Sequence, residues 1–400
     1  MKKLYVFPVR YPFTDNIECF LADEVPYLCR EFDRVVFVPL KKEVDKPKYL
    51  PANSCYFGPV FSNRLLFFVR GLFNLRSSPI LLCELFREGV WYNFKKLKVW
   101  LVGYITINSL LNSKIIRGIE RELKRDDVCY FYWGKWSNVL AYYWKDRVKC
   151  VSRFHGWGDL WESDYNEYFP FRKRVVSSLE YAVHISSIGE EYFRGKYPNC
   201  KTVVGHLGSF DQGVTQASRK KIINLVSCSS LWPLKRVDLI MKSAAFMAQK
   251  YKVLVHWTHI GGAGEELKTL QDSSERNRNK YFDYTLMGSL KHEDVLSCYV
   301  GQSFDVFINL STIEGVPVSI MEAISCGIPV VATEVGGTAE VVKSGNSGEL
   351  VPANPSVEEV SEALYKVYDN RDSYDPRNFW NEQFNADLNY KKFAHFLSSL

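Results

Sequence analysis

Short runs of β-branched and aromatic residues alternate with helical patterns along the chain, and this alternation limits the fold more than any other feature. KLYVF, RVVFVPL and KCVSRFH lie in the first half, and IINLVSCSS, FDVFINLS and IPVVAT lie in the second half. Apolar strands of this kind are typical of parallel sheets that helices cover on both faces. Two such series in 400 residues predict an α/β protein with two doubly wound, Rossmann-like domains.

Composition also indicates where one domain ends and the next begins. The Gly-, Ser- and Gln-rich stretch GHLGSFDQGVTQASRKK separates the two series of strands. We therefore predict an N-terminal domain at 1–207, a linker at 208–221 and a C-terminal domain at 222–373. The remaining residues, 374–400, have the apolar spacing of a helical tail.

Cysteine usage and hydropathy exclude several classes of protein. Ten cysteines are scattered singly without a Cys-x-x-Cys pair, which argues against a zinc site or a disulfide framework. The N-terminal MKKLYVFPVRYPF reaches a proline after four apolar residues, too few for a signal peptide. The longest apolar runs, LLFFV and VWLVGYI, are much shorter than a membrane span. We therefore expect a cytoplasmic protein.

Positive charge is concentrated in one aromatic-rich, helical segment, residues 61–125. Twelve Lys and Arg stand there against four Glu, a net charge of +8, whereas the whole chain carries +6. One interpretation is a solvated helix face. Another is a basic, aromatic surface that rests on anionic lipid headgroups, which would make the protein peripheral on the cytoplasmic face of the membrane. Nucleic acid is not an expected partner, because no binding motif accompanies the charge.

The stretch STIEGVPVSIMEAISCGIPVVATEVGG contains the strongest candidate site. It follows a buried strand, so Glu314, Gly315 and Val316 form the loop at the strand's carboxyl end. Pro317 suits the first position of the next helix, which contains Glu322. The carboxyl edge of a doubly wound sheet is where such proteins bind ligands.

The chemistry of this loop predicts a nucleotide sugar as the ligand. Free amides of Val316, Val318 and Ser319 at a helix N-terminus favour an anionic oxygen such as a phosphate. Glu314 and Glu322 would be repelled by phosphate, so we expect them to accept hydrogen bonds from sugar hydroxyls. The alternative is that Glu314 caps the helix and Glu322 is a solvated helix residue.

Taken together, these residues resemble a known family. EGVPVSIMEAISCGIPVVATEVGGTAEVV is similar to the Glu-x7-Glu signature of the retaining glycosyltransferases of family four. SLWPLKRVDLI, THIGGAGEELKTL, YTLMGSLKHEDVLSCY and SRFHGWGDLWE resemble further blocks of that family. The resemblance implies the GT-B fold, with two domains facing a central cleft and a C-terminal helix that crosses back to the N-terminal domain.

The resemblance also implies roles for the residues of the donor site. Glu322 would hold the ribose hydroxyls, Glu314 would contact the transferred sugar, and Lys235 would neutralise the departing diphosphate. The backbone of Gly315, Val316, Pro317 and Val318 would grip the sugar and the β-phosphate.

Further roles follow from the neighbouring blocks. Ser289 lies in the loop that contacts the base, and Gly261 belongs to the preceding donor-side block. His155 would project towards the anomeric side of the sugar. A lone histidine at a strand end is often a core residue, but here Gly156 follows it and Asp159 is close. Trp157 and Asp159 are the expected residues on the acceptor side.

Two positions depart from the family pattern. Ser229 and Ser230 occupy the places of the usual phosphate-binding arginine, and the missing charge would then come from Arg236. The first loop reads VRYPFTDN where the family often has Gly-Gly near the diphosphate.

These features predict a retaining glycosyltransferase that needs no metal or other cofactor, since the chain contains no Asp-x-Asp. The expected acceptor is a glycan or lipid-linked oligosaccharide, as in the synthesis of bacterial lipopolysaccharide, O-antigen, capsule or exopolysaccharide. A Rossmann oxidoreductase is disfavoured because no Gly-x-Gly-x-x-Gly follows the first strand. The alternative is a non-catalytic sugar-nucleotide-binding or membrane scaffold protein that kept the fold.

Overall fold

The chain folds into two compact units, which are described here one at a time. Unit 1 comprises Met1–Gly205 and Tyr390–Leu400, and unit 2 comprises His206–Asn389. The structure is a computed structural model that describes residues 2–14, 18–156, 158–165, 167–216 and 222–400.

Unit 1 is built on a parallel sheet of seven strands in the order β3-β2-β1-β4-β5-β6-β7. The register places Tyr5 of the first strand opposite Val36 on one side and Cys129 on the other. The strands are β1 Lys3–Phe7, β2 Arg34–Phe37, β3 Ser54–Tyr56, β4 Val128–Phe131, β5 Lys149–Phe154, β6 Tyr181–His184 and β7 Thr202–Val204.

The helices of unit 1 are mostly short, and the longest lies in the basic segment. They are α1 Cys19–Glu31, α2 Arg64–Gly71, α3 Ser78–Arg87, α4 Phe94–Leu111, α5 Lys114–Glu122, α6 Leu140–Trp144, α7 Arg172–Val176 and α8 Ser187–Lys196. Short 3-10 turns occur at Val90–Tyr92, Trp136–Val139 and Glu162–Tyr165. Within the described residues no single helix meets the length and hydropathy of a membrane span, whereas α4 and α5, bent by 56°, meet them only as a pair.

Unit 2 contains a six-stranded parallel sheet in the order β10-β9-β8-β11-β12-β13. Its strands are β8 Ile222–Cys228, β9 Leu254–Ile260, β10 Phe282–Gly288, β11 Val306–Asn309, β12 Val330–Thr333 and β13 Gly348–Val351. Its helices are α9 Val237–Tyr251, α10 Gly264–Asn277, α11 His292–Gly301, α12 Val318–Ser325, α13 Thr338–Val341, α14 Val357–Asp369 and α15 Pro376–Gln383, and 3-10 turns occur at Pro233–Lys235 and Arg371–Ser373. The last helix of the chain is α16 Ala386–Ser399.

Successive residues of β8 show that helices cover both faces of this sheet. Leu225 packs in a cluster with Ile240 of α9 and other apolar side chains, whereas Val226 packs with Ile320 of α12 on the opposite face. The predicted pair of doubly wound parallel sheets is therefore confirmed. Because all strands are parallel, the loops at their carboxyl ends share one edge of each sheet.

The sequence missed two strands, β3 and β10, and each lies at the outer edge of its sheet. In β10 buried and exposed positions alternate at its start, with Phe282 buried and Asp283 exposed. An edge strand has only one neighbour and is less fully covered, so it lacks the continuous apolar run of a central strand.

The boundaries differ from those predicted by composition. Residues 208–216 are not a free linker, because Thr215 is buried and its amide donates to the carbonyl of Cys326 of unit 2 over 2.8 Å. Residues 217–221 of the predicted linker lie outside the described part of the chain. The tail from 374 also stays in unit 2 until Asn389, because Trp380 is buried there and its indole donates to Ser209 over 2.9 Å.

Candidate functional site

An ion pair between Lys235 and Glu314 forms the centre of the carboxyl edge of unit 2. Lys235 ends the 3-10 turn after β8, and Glu314 lies in the loop after the neighbouring strand β11. The Lys235 Nζ and a carboxylate oxygen of Glu314 are 2.7 Å apart. Asn309, the last residue of β11, donates its side-chain amide to the same oxygen over 3.3 Å. Adjacent strands thus bring together two residues that are 79 positions apart in the chain.

The loop that carries Glu314 is held by the Gly-Gly pair after β12. The amide of Gly337 donates to the carbonyl of Gly315 over 2.7 Å. A Cβ at Gly336 would lie 1.9 Å from the Glu314 carbonyl oxygen, and one at Gly337 would lie 2.2 Å from that of Gly315. Both positions therefore require glycine. In the structure the pair approaches a neighbouring loop, whereas the sequence interpretation had it approaching a phosphate.

Helix α12 begins directly after this loop and carries the second glutamate. Pro317 is its N-cap residue, one position earlier than predicted, and its carbonyl accepts from the amide of Ile320 over 3.2 Å. The first amides of α12 have no acceptor within the helix, so this end of the helix favours an anion. Glu322 is buried inside α12, and its carboxylate lies 2.7 Å from Nε2 of His292.

Two further loops meet at the same edge. Gly261, after β9, donates its amide to the carbonyl of Gly288, at the end of β10, over 2.8 Å. The hydroxyl of Ser289 donates to the Gly262 carbonyl over 3.0 Å. Gly261 has φ +127°, and a Cβ there would lie 2.0 Å from the Ser229 carbonyl oxygen. The donor-side positions predicted after β9 and β10 are therefore neighbours.

Arg236 does not supply the charge of the missing family arginine. Its guanidinium donates to the carbonyls of Leu310, Ser311 and Ala353, at 3.0 Å for Ser311 and 2.9 Å for Ala353. Burial lowers the pKa of this guanidinium. Because these bonds occupy Nε and one terminal nitrogen, Arg236 ties together the loops after β11 and β13, and its predicted diphosphate contact is not supported by its position.

In unit 1, His155 follows β5 at the carboxyl edge. Its Nε2 lies 2.8 Å from the carbonyl of Tyr132, and its ring packs on Trp133 with centroids 4.4 Å apart. A carbonyl only accepts, so Nε2 carries the proton and Nδ1 is the acceptor nitrogen. Burial and the neighbouring Arg153 lower the pKa of His155 to about 3. The imidazole is therefore neutral at physiological pH.

Asp159 holds the turn around His155. Its carboxylate accepts from the amides of His155, Gly156 and Gly134 over 3.0 to 3.1 Å. The side chain is fully buried, and burial raises its pKa to about 6 although these hydrogen bonds oppose the shift. Asp159 is thus a positioning residue and not the acceptor contact predicted from the sequence. The predicted acceptor residue Trp157 lies outside the described residues.

Glu18 was not predicted, and it fills the place where the family's first loop binds an anion. Its carboxylate accepts from the amides of Val9, Arg10 and Tyr11 over 2.7 to 2.8 Å. The indole of Trp133 donates to it over 2.7 Å. A carboxylate of the protein itself therefore satisfies the amides of the loop VRYPFTDN.

An open pocket of about 540 Å³ lies beside this loop in unit 1. Cationic, indole and apolar side chains line it, including Arg10, Lys41, Lys135, Trp133, Trp136 and Phe67. Arg10 lies 3.4 Å from Glu43, and burial lowers the pKa of Lys135. The lining suits a ligand with an anionic group and an apolar part.

Comparison with known families agrees with the geometry of unit 2. Residues 213–383 match the family described as glycosyl transferases group 1. This segment is a glycosyl transferase group 1 domain. The domain contains Lys235, Glu314 and Glu322, whereas His155 and Asp159 lie outside it.

Curated relatives of the group 1 domain include glycosyltransferase proteins from human and from bacteria. One belongs to the human phosphatidylinositol N-acetylglucosaminyltransferase (Homo sapiens) and is 34% identical over 149 residues, which represent 37% of this chain and 29% of the relative. Another is the GtfA protein of the Streptococcus pneumoniae UDP-N-acetylglucosamine–peptide N-acetylglucosaminyltransferase, 25% identical over 213 residues, or 52% of this chain and 40% of the relative. The chain thus spans less than half of the length of each of these two relatives.

Solved structures similar to the whole chain include the lipopolysaccharide outer core galactosyltransferase WaaB in its apo form, with a TM-score of 0.64 and 16% identity over 100% of both chains. Anabaena HepE in complex with UDP matches with a TM-score of 0.63 and 16% identity, also over 100% of both chains. At such identities the likeness concerns the fold. The predicted GT-B fold class is confirmed.

The residues that sequence reasoning missed around the group 1 domain are second partners of predicted ones. Asn309 and His292 contact Glu314 and Glu322, respectively. His292 was visible in the block MGSLKHED, but only the fold brings it to Glu322, 30 residues away. Asn309 could have been found as the polar end of an otherwise apolar strand.

Proposed function

We propose that this protein is a glycosyltransferase that moves a sugar from a nucleotide-sugar donor to a glycan or lipid-linked acceptor. The observation that carries the proposal is the juxtaposition of Lys235 with Glu314 at the N-terminal end of α12. A cation, free helix amides and a carboxylate at one point suit a ligand with both diphosphate and hydroxyl groups.

In the proposed complex each side chain meets a different part of the donor. Lys235 exchanges its contact with Glu314 for the diphosphate, and the α12 amides face the β-phosphate. Glu314 then accepts from a hydroxyl of the transferred sugar, and Glu322 from the ribose hydroxyls. The loops at Gly261 and Ser289 flank the base. These assignments follow the Glu-x7-Glu signature of family four.

The proposed reaction is retaining and independent of a metal. The bond between the anomeric carbon and the diphosphate oxygen breaks, and the acceptor oxygen bonds to that carbon on the same face. The acceptor proton passes to the departing diphosphate. Preorganised positive charge from Lys235 and the α12 amides stabilises the negative charge that develops on the leaving group. His155, neutral and fixed through Nε2, presents Nδ1 on the unit 1 side.

For the acceptor we propose the pocket beside Trp133 in unit 1, whose lining combines cations with aromatic rings. A glycan stacks on indole rings, and a phosphate-linked carrier would add contacts with Lys41 and Lys135. The similarity in fold to a lipopolysaccharide galactosyltransferase supports a role in bacterial surface polysaccharide synthesis. We place the protein in the cytoplasm, where nucleotide sugars are the donors.

The test begins with the donor. The melting temperature of the full chain is measured with UDP-, GDP- and ADP-sugars, since binding to the native state raises it. The donor that gives the largest shift is then incubated with the protein and glycan or lipid-linked acceptors, and the anomeric configuration of the product is read by NMR. A shift with an α-linked product from an α-linked donor is expected.

Two outcomes would contradict the proposal. If no nucleotide sugar shifts the melting temperature, the donor site is wrong. If a donor binds but neither transfer nor slow hydrolysis occurs with any acceptor, the protein is a sugar-nucleotide-binding scaffold that kept the fold.

A further inference from the structure

Exposed apolar side chains are concentrated in one part of unit 1. Among the described residues, 22 large apolar side chains are exposed, and 14 of them lie between positions 65 and 102. The most exposed of these are Leu65, Leu72, Leu75, Phe86, Tyr92 and Phe94. We name the segment 64–102 the apolar-basic surface. Scattered exposed apolar residues are ordinary, but such a concentration marks a binding surface.

The apolar-basic surface belongs to packed, ordered structure. Helix α2 crosses α4 so closely that a Cβ at Gly71 would lie 2.6 Å from the side chain of Ile105. The side-chain amide of Asn108 donates to the Gly71 carbonyl over 3.2 Å, and that of Asn112 donates to the Arg70 carbonyl over 2.7 Å. These bonds satisfy carbonyls at the end of α2. The exposed side chains are therefore held in place on a fixed scaffold.

Positive charge is interleaved with the exposed apolar side chains. The segment 64–102 contains seven Lys and Arg and two Glu. Both glutamates have partners outside the segment, since Glu84 accepts from the amide of Phe171 over 3.2 Å and Glu88 pairs with Lys173 over 2.9 Å. In the described part of the chain, Lys95 and Lys98 form no ion pair. The surface is therefore basic as well as apolar.

Aromatic side chains occupy the boundary between its apolar and basic parts. Trp91 and Tyr92 stand next to each other, with ring centroids 5.4 Å apart, and both are more than half exposed. Phe94 and Lys95 begin α4 directly after them. Trp and Tyr are enriched at membrane–water interfaces, where lysine stems extend to the headgroups.

We infer that the apolar-basic surface docks this protein onto an anionic lipid bilayer. Apolar side chains would enter the headgroup boundary, while lysines and arginines would contact lipid phosphates. A second copy of the chain is a poorer occupant, because a two-fold contact would bring the same cations together. An acidic lipid surface complements both the charge and the apolar side chains.

This inference is independent of the proposed catalytic activity, but the two meet at one position. Phe67 and Val102 of the apolar-basic surface also line the 540 Å³ pocket in unit 1. A lipid-borne acceptor would then reach that pocket from the bilayer without leaving it. Membrane docking itself requires neither donor nor acceptor.

The test is co-sedimentation of the full chain with vesicles of phosphatidylcholine alone or with 30% phosphatidylglycerol, roughly, in the absence of nucleotide. Strong binding is expected only with phosphatidylglycerol, and it should weaken as salt is raised. The charge variant Lys95→Glu/Lys98→Glu and the apolar variant Phe86→Asp/Phe94→Asp should each weaken the partition coefficient about tenfold or more.

Matched controls alter exposed residues of unit 1 elsewhere. Lys391→Glu/Lys392→Glu reverses two exposed lysines of α16, and Tyr49→Asp changes a highly exposed aromatic residue. Both should bind vesicles like the wild type. Equal partition of the wild type and both test variants, or no binding of the wild type to anionic vesicles, would overturn the inference. So would a dimer, measured by light scattering, that the same two variants dissociate.

Discussion

The two carboxyl edges of this protein have the same topology and treat backbone amides in opposite ways. In unit 1 the carboxylates of Glu18 and Asp159 accept from amides of their own loops. In unit 2 the amides at the start of α12 are left open, and the nearby carboxylate of Glu314 faces Lys235. The comparison teaches that a glutamate at a sheet edge is structural where it holds its own loop and functional where it faces a cation beside open amides.

The largest expected effect comes from breaking the pair in unit 2. Lys235→Ala and Glu314→Ala should each lower turnover about 100-fold or more, because each removes charge that acts on the donor in the transition state. Steady-state kinetics with the donor found by melting would measure the loss. Lys242→Ala, which removes an exposed i,i+4 pair with Asp238, is the matched control and should leave turnover unchanged. Near-normal rates in both test variants would overturn the site assignment.

The converse holds for unit 1, where removing a carboxylate should cost stability. Glu18→Ala leaves the amides of Val9, Arg10 and Tyr11 and the indole of Trp133 without their acceptor. The free energy of unfolding should fall by about 2 to 3 kcal/mol, as measured by urea denaturation. Glu18→Gln should lose less because its amide oxygen still accepts. If Glu314→Ala lost as much stability as Glu18→Ala, the distinction between the two edges would fail.

One buried histidine in each unit sharpens the comparison through pH. Burial lowers the pKa of His184 in unit 1 to about 3 and that of His259 in unit 2 to about 4. Both folded-state pKa values lie below the usual 6.5, so each histidine lowers stability as pH falls below about 6.5. Between pH 7 and pH 5 each should cost about 2 kcal/mol of unfolding free energy.

Replacement by phenylalanine separates the two histidines. His184 has both ring nitrogens buried without a hydrogen bond and stacks on Phe154, so His184→Phe should remove its share of the acid sensitivity at no cost at pH 7. His259→Phe should also remove its share, but it destabilises at pH 7, because Nδ1 of His259 is hydrogen-bonded to Ser227 over 2.9 Å. Denaturation of both variants at pH 7 and pH 5 checks this. An unchanged pH dependence in His184→Phe would contradict the account.

The smallest expected effect is steric and acts on the loop of Glu314. Gly337→Ala has an ordinary φ of −81°, but its Cβ would press on the Gly315 carbonyl, so the loop must shift. Turnover should fall about tenfold through displacement of Glu314, a loss of about 1.4 kcal/mol in transition-state stabilisation. Gly301→Ala, where a Cβ meets no atom within 4 Å, is the control. Equal turnover of the two variants would separate the Gly-Gly pair from the site.

The sequence allowed prediction of the central strands and of Lys235 and Glu314, because those features are local in the chain. Buried runs such as FDVFINLS have few alternatives to a central strand, and a carboxylate before a helix start is visible in one window. The edge strand β10 lacked such a run. The true partners of Arg236 and of Gly336 and Gly337 could not be read, because they are carbonyls and loops that only the fold brings near. The position where the tail leaves unit 2 depends on the burial of Trp380, which is likewise a tertiary contact.

The most direct test of the central claim is a calorimetric titration of UDP into the wild type, Glu322→Ala and Glu358→Ala. Glu322 is buried at the proposed ribose position, whereas Glu358 is an exposed residue of α14 in the same unit. The account predicts that the wild type and Glu358→Ala bind with equal affinity and that Glu322→Ala binds about tenfold or more weakly, owing to the loss of hydrogen bonds to a charged acceptor. Equal affinity of all three proteins for UDP would contradict a nucleotide site at this edge of unit 2.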